Sequence, residues 1–173
     1  MNNQPGQYIE PGYSPSPSLL DAEAYGTMLD SIVIACVDIA ITNDRGQLLL
    51  GKRTRHPQAD WWIVGGRMQT GEHFSDSAKR LVKKELGLEI TPERFSYLTT
   101  FSAAWNKRAF PPEDNGTHTL SIVLTTKLSE AEIAAIVPND EYSSMQWVDT
   151  EEVANEQSGY HPAVRQCANA LNS

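Results

Sequence analysis

Two glycines followed by a sparse run of acids and bases are the residues in this sequence with most chemistry to offer. Gly65-Gly66 close the apolar stretch 61–64, and Glu72, Arg80 and Glu85 follow before Gly87-Leu88. The spacing of apolar residues predicts a helix over 75–86 that Gly87 stops. At about 100° per residue, Glu85 falls about 20° from Ala78, about 20° from Phe74 and about 40° from Leu81. Its carboxylate is therefore aimed along the apolar stripe, toward a sheet and away from water. An inward acid is costly unless an arginine pairs with it or a cation binds it, and both readings stay open here. The paired glycines leave backbone carbonyls unobstructed, and a hard cation such as Mg²⁺ takes oxygen ligands of this sort. Glu72 and Arg80 bracket the intervening loop, where an ion pair between them would be structural. Lys52, Arg53, Arg55, His56 and Arg67 concentrate positive charge around the same stretch of a chain whose net charge is −8.

The spacing Gly66, five residues, Glu72, seven residues, Arg80, then Glu85 and Gly87-Leu88 resembles the Nudix box. The usual box carries further acids where this chain has Leu81 and Lys84, so two carboxylates that commonly hold metal are missing. A box reduced to its last acid, together with Leu49-Leu50-Gly51-Lys52-Arg53-Thr54 and the segment 62–69, is similar to the GDP-mannose mannosyl hydrolase branch. The resemblance extends over residues 32–147 and is strongest over 51–88. It implies an α/β/α sandwich around a mixed β-sheet, Mg²⁺ (or Mn²⁺) as cofactor, a nucleotide-sugar substrate and a homodimer. The activity implied is substitution at the sugar C1 of GDP-mannose or GDP-glucose, which releases GDP and free hexose. Such a transition state gathers negative charge on the departing diphosphate, which a metal and arginines neutralise.

Carried over position by position, the resemblance implies that the backbone carbonyl of Gly66 and the side chain of Glu85 are metal ligands. Arg67 and Arg53 would grip the diphosphate and assist its departure, Arg67 most directly. Asp38, an acid inside an apolar strand, would contact the nucleotide or its sugar. In the segment Pro138-Asn139-Asp140-Glu141-Tyr142, Glu141 falls where the branch has an amide ligand, and would serve as ligand or base. Tyr142 falls where the branch has its general-base histidine. A phenol with an ordinary pKa near about 10 is a poor base at neutral pH. A histidine expected around 101–102 is also absent; His118, on a strand of its own, would compensate for it or is a plain strand histidine. Trp105, in a segment read as a loop over 103–116, would stack on a base or sugar or simply cap the core. Two other readings accompany the first: cleavage of the P–O–P bond, and a nucleotide-sugar-binding module without catalysis. The missing acids at 81 and 84 count against P–O–P cleavage, and Tyr142 sustains the non-catalytic module.

These residues need a scaffold. Residues 1–18 are rich in Pro, Gly and Ser and read as a flexible tail, with 19–173 as one domain. Helices are expected over 19–29 with Ser18 as N-cap, over 129–137 with a Ser129/Glu132 capping box, and over 162–171. Strands are expected over 32–42, 47–53, 61–64, 95–102, 117–127 and 145–148. The first two form a hairpin through Asn43-Asp44-Arg45-Gly46, and the first is covered on both faces. At 173 residues with 40% hydrophobic content, the chain is long enough to bury a core without disulfides, so Cys36 and Cys167 read as free thiols. The acidic balance argues against a nucleic-acid or anionic-membrane binder. No apolar run has the length of a membrane span and no signal sequence is visible, giving a cytoplasmic expectation.

Overall fold

The computed structural model describes residues 5–16 and 19–173, so the N-cap expected at Ser18 lies outside the described residues. Strand β1 (Ile34–Thr42) turns back into β2 (Gln47–Arg53). Asn43 builds that turn: its Oδ1 accepts from the backbone N–H of Arg45 at 2.9 Å and of Gln47 at 3.0 Å, while Gly46 takes φ 76°. The two strands are in register only at Thr42 and Leu48, and then diverge. Beyond that point β1 pairs in parallel with β6 (Thr117–Lys127) and antiparallel with β4 (Val64–Arg67). Strand β2 pairs instead with β3 (Trp61–Trp62) and β7 (Tyr142–Asp149), and β5 (Ser96–Trp105) lies antiparallel to β6. The result is a mixed seven-stranded sheet that opens as a V from the β1–β2 turn.

The stretch 61–64 crosses the mouth of this V, so the single strand expected there is two. Trp61-Trp62 belongs to one arm and Val64 to the other. Hydrophobic alternation cannot reveal such a division, because all four side chains are at least partly buried whichever strand they pair with.

One face of the sheet carries α2 (Phe74–Leu86), whose Ala78, Leu81, Val82 and Leu86 meet Val37, Ile39, Ile41, Val64 and Phe95. Fully burying each large aliphatic side chain here contributes about 1.5–3 kcal/mol. Gly87 ends the helix at φ 73°, its N–H returning to the Lys83 carbonyl. The opposite face carries α5 (Pro162–Leu171), which packs Val164, Cys167 and Ala168 against Ala40, Leu48, Leu50, Phe101 and Val123. Near it, α1 (Ala22–Ser31) sets Leu29 on Ile34 and Cys36. Two short helices, α3 (Glu130–Ala134) and α4 (Thr150–Ala154), complete the sandwich, which is the expected α/β/α arrangement.

Several boundaries shift for local reasons. Asp21, whose side chain accepts from Ala24 N–H at 2.8 Å, starts α1 three residues later than expected. Strand β5 runs on to Trp105 because its ladder with β6 continues to Thr117, which shortens the expected loop. The capping box of Ser129 and Glu132 is present, but the helix it starts ends at Ala134. Strand β7 begins at Tyr142, three residues early, because the ladder with β2 reaches Arg53. Helix α4 has only five residues, too short to give a periodic signal. Both cysteines are buried free thiols, pushed up to about 12 by desolvation.

Candidate active site

Where β1 and β2 diverge, side chains from β1, β2, α2 and β7 and from the loop before β7 come together. Successive residues of β1 point to opposite faces, so Val37 and Ile39 face α2 while Asp38 faces the α5 side. Asp38 stands opposite Gly65 in the ladder, and a Cβ on Gly65 would lie 1.9 Å from Asp38 Oδ1. The glycine therefore vacates the space the carboxylate fills. Asp38 is 5% exposed, and burial raises its pKa to about 6, although Ser121, Arg53 and Trp62 favour the charged form.

On the α2 face, Glu85 is 1% exposed, so the helical stripe oriented it as the sequence indicated. Its carboxyl is pushed up to about 7 by desolvation, with the Tyr142 hydrogen bond opposing and the nearby charge of Glu141 adding to the rise. Tyr142 OH donates to Glu85 Oε2. The tyrosine ring lies flat over Gly51, where a Cβ would be 2.3 Å from the ring. Burial and the Glu85 charge push the phenol further above its ordinary range, so Tyr142 is a hydrogen donor here and not a base.

Glu141 lies beside this pair. Lys84 Nζ reaches Glu141 Oε1 at 2.7 Å, and Arg53 Nη2 is 3.7 Å from Glu141 Oε2. Arg53 stands between the two faces: its charge acts on Asp38 on one side and on Glu85 and Tyr142 on the other. Its Nε is buried without a hydrogen-bond partner, an open donor facing a region of acids.

The glycine carbonyls follow from the antiparallel ladder. Met68 N–H donates to the Ala35 carbonyl at 3.1 Å, and alternation then turns both backbone groups of Gly66 toward Val37. Gly66 is thus committed to the sheet, and Gly65 presents its carbonyl on the outer edge of β4. The next carbonyl on that edge, Arg67 O, accepts from Arg80 Nη2 at 3.0 Å. The carbonyl left free of the ladder is that of Gly65 and not of Gly66, where the sequence expectation put it, because one strand residue reverses the carbonyl direction.

Glu72 and Arg80 make the anticipated structural pair. Arg80 Nη2 donates to Glu72 Oε2 at 2.7 Å, and the Gln69 N–H donates to the same oxygen at 2.8 Å. Burial alone would raise the Glu72 pKa, but Arg80, Ser77 and Gln69 together hold it down at about 2.

The remaining expected members lie away from Glu85. Arg67 sits on the Asp38 face of β4, its guanidinium 4.5 Å from the Tyr25 ring centroid. Trp105 joins Trp62 and His161 in an aromatic cluster, with centroids 5.5 Å and 5.1 Å away, and donates Nε1–H to Thr119 Oγ1 at 3.3 Å. His118 bonds Ser102 at 2.7 Å through Nε2, on an exposed part of the α2-side face of the sheet. Sequence reasoning did not foresee the Lys84–Glu141 pair, whose partners are 57 residues apart, or His161.

The donors present fit one divalent ion: Glu85, Glu141 and the Gly65 carbonyl. A buried acid facing a second acid is a place where a cation replaces a proton. Leu81 and Lys84 supply no ligand for a second ion, and among the described residues no group of three or more His, Cys, Asp or Glu converges.

Known proteins resemble this chain in part of its sequence and in its fold. The 8-oxo-dGDP phosphatase of Homo sapiens is 29% identical over 85 residues, covering 49% of this chain and 25% of that protein. The low-salt glycan biosynthesis protein Agl8 of Haloferax volcanii is 31% identical over 88 residues, covering 50% of this chain and 54% of that protein. The chain thus spans about a quarter and about half of the length of these curated relatives. The crystal structure of the MutT protein from Methanosarcina mazei Go1 superposes with a TM-score of 0.62 at 18% identity, over 81% of this chain and 93% of that one. The NUDIX domain family model matches residues 34–167, and with that span the chain belongs to the NUDIX family of hydrolases.

Proposed function

We propose that this chain is a Mg²⁺-dependent hydrolase of nucleoside-diphosphate sugars, acting at the sugar C1 of a GDP-hexose to give GDP and free hexose. The observation that carries this reading is the constellation of buried Glu85 near the charge of Glu141, with Arg53 beside Glu141 and its Nε unpartnered. Glu85, Glu141 and the Gly65 carbonyl would hold the ion. When bound, that ion supplies positive charge against the phosphate oxygens. Arg53 and Arg67 donate to the diphosphate, stabilising the charge that develops on it as the C1–O bond breaks. Asp38, on the other face of the cleft, accepts from a hydroxyl of the sugar or ribose. If Glu141 acts as base instead of ligand, its side chain, 18% exposed, would take the proton from the attacking water. Two features of the relatives support the substrate class: one is named for a guanine nucleoside diphosphate, the other for glycan biosynthesis. Mn²⁺ fits the same oxygen donors.

The binding-module reading draws on one observation, that Lys84 already neutralises Glu141. Product analysis separates the cases. Incubation with GDP-mannose or GDP-glucose and Mg²⁺ is expected to release GDP and free sugar. GMP plus sugar phosphate would instead assign P–O–P cleavage, and tight binding without turnover a binding module. Glu85→Gln is expected to lower turnover by at least about 100-fold. A rate like that of the unaltered protein would remove Glu85 from the ion.

A further inference from the structure

Arg67 is oriented by rings alone. Its guanidinium carbon lies 4.5 Å from the Tyr25 centroid and 5.9 Å from the Phe110 centroid, and those rings meet edge to face at 4.6 Å. Among the described residues it has no hydrogen-bond or ion-pair partner, in a chain of net charge −8 that offers 22 acids. A planar cation held by its face and free at its N–H edge is prepared to meet two oxygens of an oxyanion such as phosphate.

The rings are themselves bolted down. Arg108 is 2% exposed and all of its donors are used. Nε donates to the Phe110 carbonyl at 3.0 Å. Nη1 donates to Asp30 Oδ1 at 2.6 Å and the Gly116 carbonyl at 3.0 Å, and Nη2 to the carbonyls of Gly26 and Pro111, each at 3.2 Å. Asn115 adds a second bond to Asp30 at 3.1 Å. Helix α1 comes so close to the loop that a Cβ on Gly26 would lie 2.1 Å from the Pro111 carbonyl oxygen. This bolt fixes Tyr25 on α1 relative to Phe110 on the loop. The backbone at Arg67 is fixed from the other side by Arg80.

We propose that Tyr25 and Phe110 are positioning residues that hold Arg67 ready for a phosphate group of the nucleotide. The proposal rests on the reading above that Arg67 grips the diphosphate. Restricting the side chain before the ligand arrives removes an ordering cost from binding.

GDP binding in the presence of Mg²⁺, measured by titration calorimetry, tests this. Tyr25→Leu is expected to weaken binding roughly three- to tenfold, with Tyr25→Phe within about twofold of the unaltered chain. Phe110→Ala, at a residue 37% exposed, provides a second variant that spares the core and should weaken binding in the same direction. In an Arg67→Ala background neither ring substitution should matter further. The proposal is overturned if Tyr25→Leu and Phe110→Ala bind GDP as the unaltered chain does, or lose the same factor with Arg67 absent. If Arg67→Ala alone leaves GDP binding unchanged, the diphosphate role of Arg67 fails, and the positioning role of the two rings with it.

Discussion

Tyr142 donates its hydroxyl hydrogen to Glu85, and this bond keeps a buried carboxyl from holding its proton more tightly still. Removing the donor takes away the largest influence opposing desolvation and leaves only the charges of Lys84 and Arg53 against it, so the Glu85 pKa in Tyr142→Phe should rise above about 7. The sign follows directly. An ion binds the ionised form, so Mn²⁺ affinity near neutral pH should fall and recover as the pH is raised past the new pKa. Paramagnetic titration at two pH values reads this, and pH-independent affinity would mean that Glu85 is not a ligand. The inward aim of Glu85 was legible in sequence, because helical angle and apolar neighbours fix it. The role of Tyr142 was not, because a residue type at a position does not disclose whether its hydrogen is donated. Lys84 and Glu141 are equally instructive. Lys84 departs from the familiar box and Glu141 from the branch's amide ligand, and only their 2.7 Å contact shows that the two departures compensate one another in charge.

At the scale of elements, α2 is held at its start by an ion pair and at its end by a left-handed glycine. Glu72 is the stronger determinant because three donors meet its carboxylate. Its pKa lies at about 2 in the folded chain against an ordinary 4.5. A depressed acid contributes its stability above the unfolded pKa and loses it as pH falls from about 4.5 toward about 2. Glu72→Gln should therefore cost about 2 kcal/mol near neutral pH, lowering Tm by roughly 4–8 °C, with the difference closing at the acid end. Thermal melts of both proteins across that range check it, and a pH-independent gap would contradict the linkage. The helix was readable because the apolar stripe and the glycine stop agree. The crossing at 61–64 was not, because pairing partners far along the chain decide it.

Across the whole molecule, the diverging β1–β2 hairpin makes the cleft, and the N-terminal segment reaches back to its edge. The sequence reads 1–18 as a tail without structure, since Pro, Gly and Ser give no periodicity. Yet Gln7 Nε2 donates to the Glu72 carbonyl at 2.6 Å, and Phe74 N–H donates to Gln7 Oε1 at 3.0 Å. Pro15 packs over Gly71, where a Cβ would lie 2.9 Å from the proline ring. His73 contributes no side-chain bond as N-cap of α2, so a glutamine 67 residues away from Phe74 meets that need instead. No local rule predicts a cap supplied from so far along the chain. Gln7→Ala should cost about 1 kcal/mol, the usual worth of a helix cap, and should speed amide exchange at Phe74 roughly fivefold. Protection at the Gly87 end of the same helix should be unchanged. Exchange at Phe74 as slow as in the unaltered chain would mean that the segment does not rest on the box loop in solution, and that α2 begins without its help.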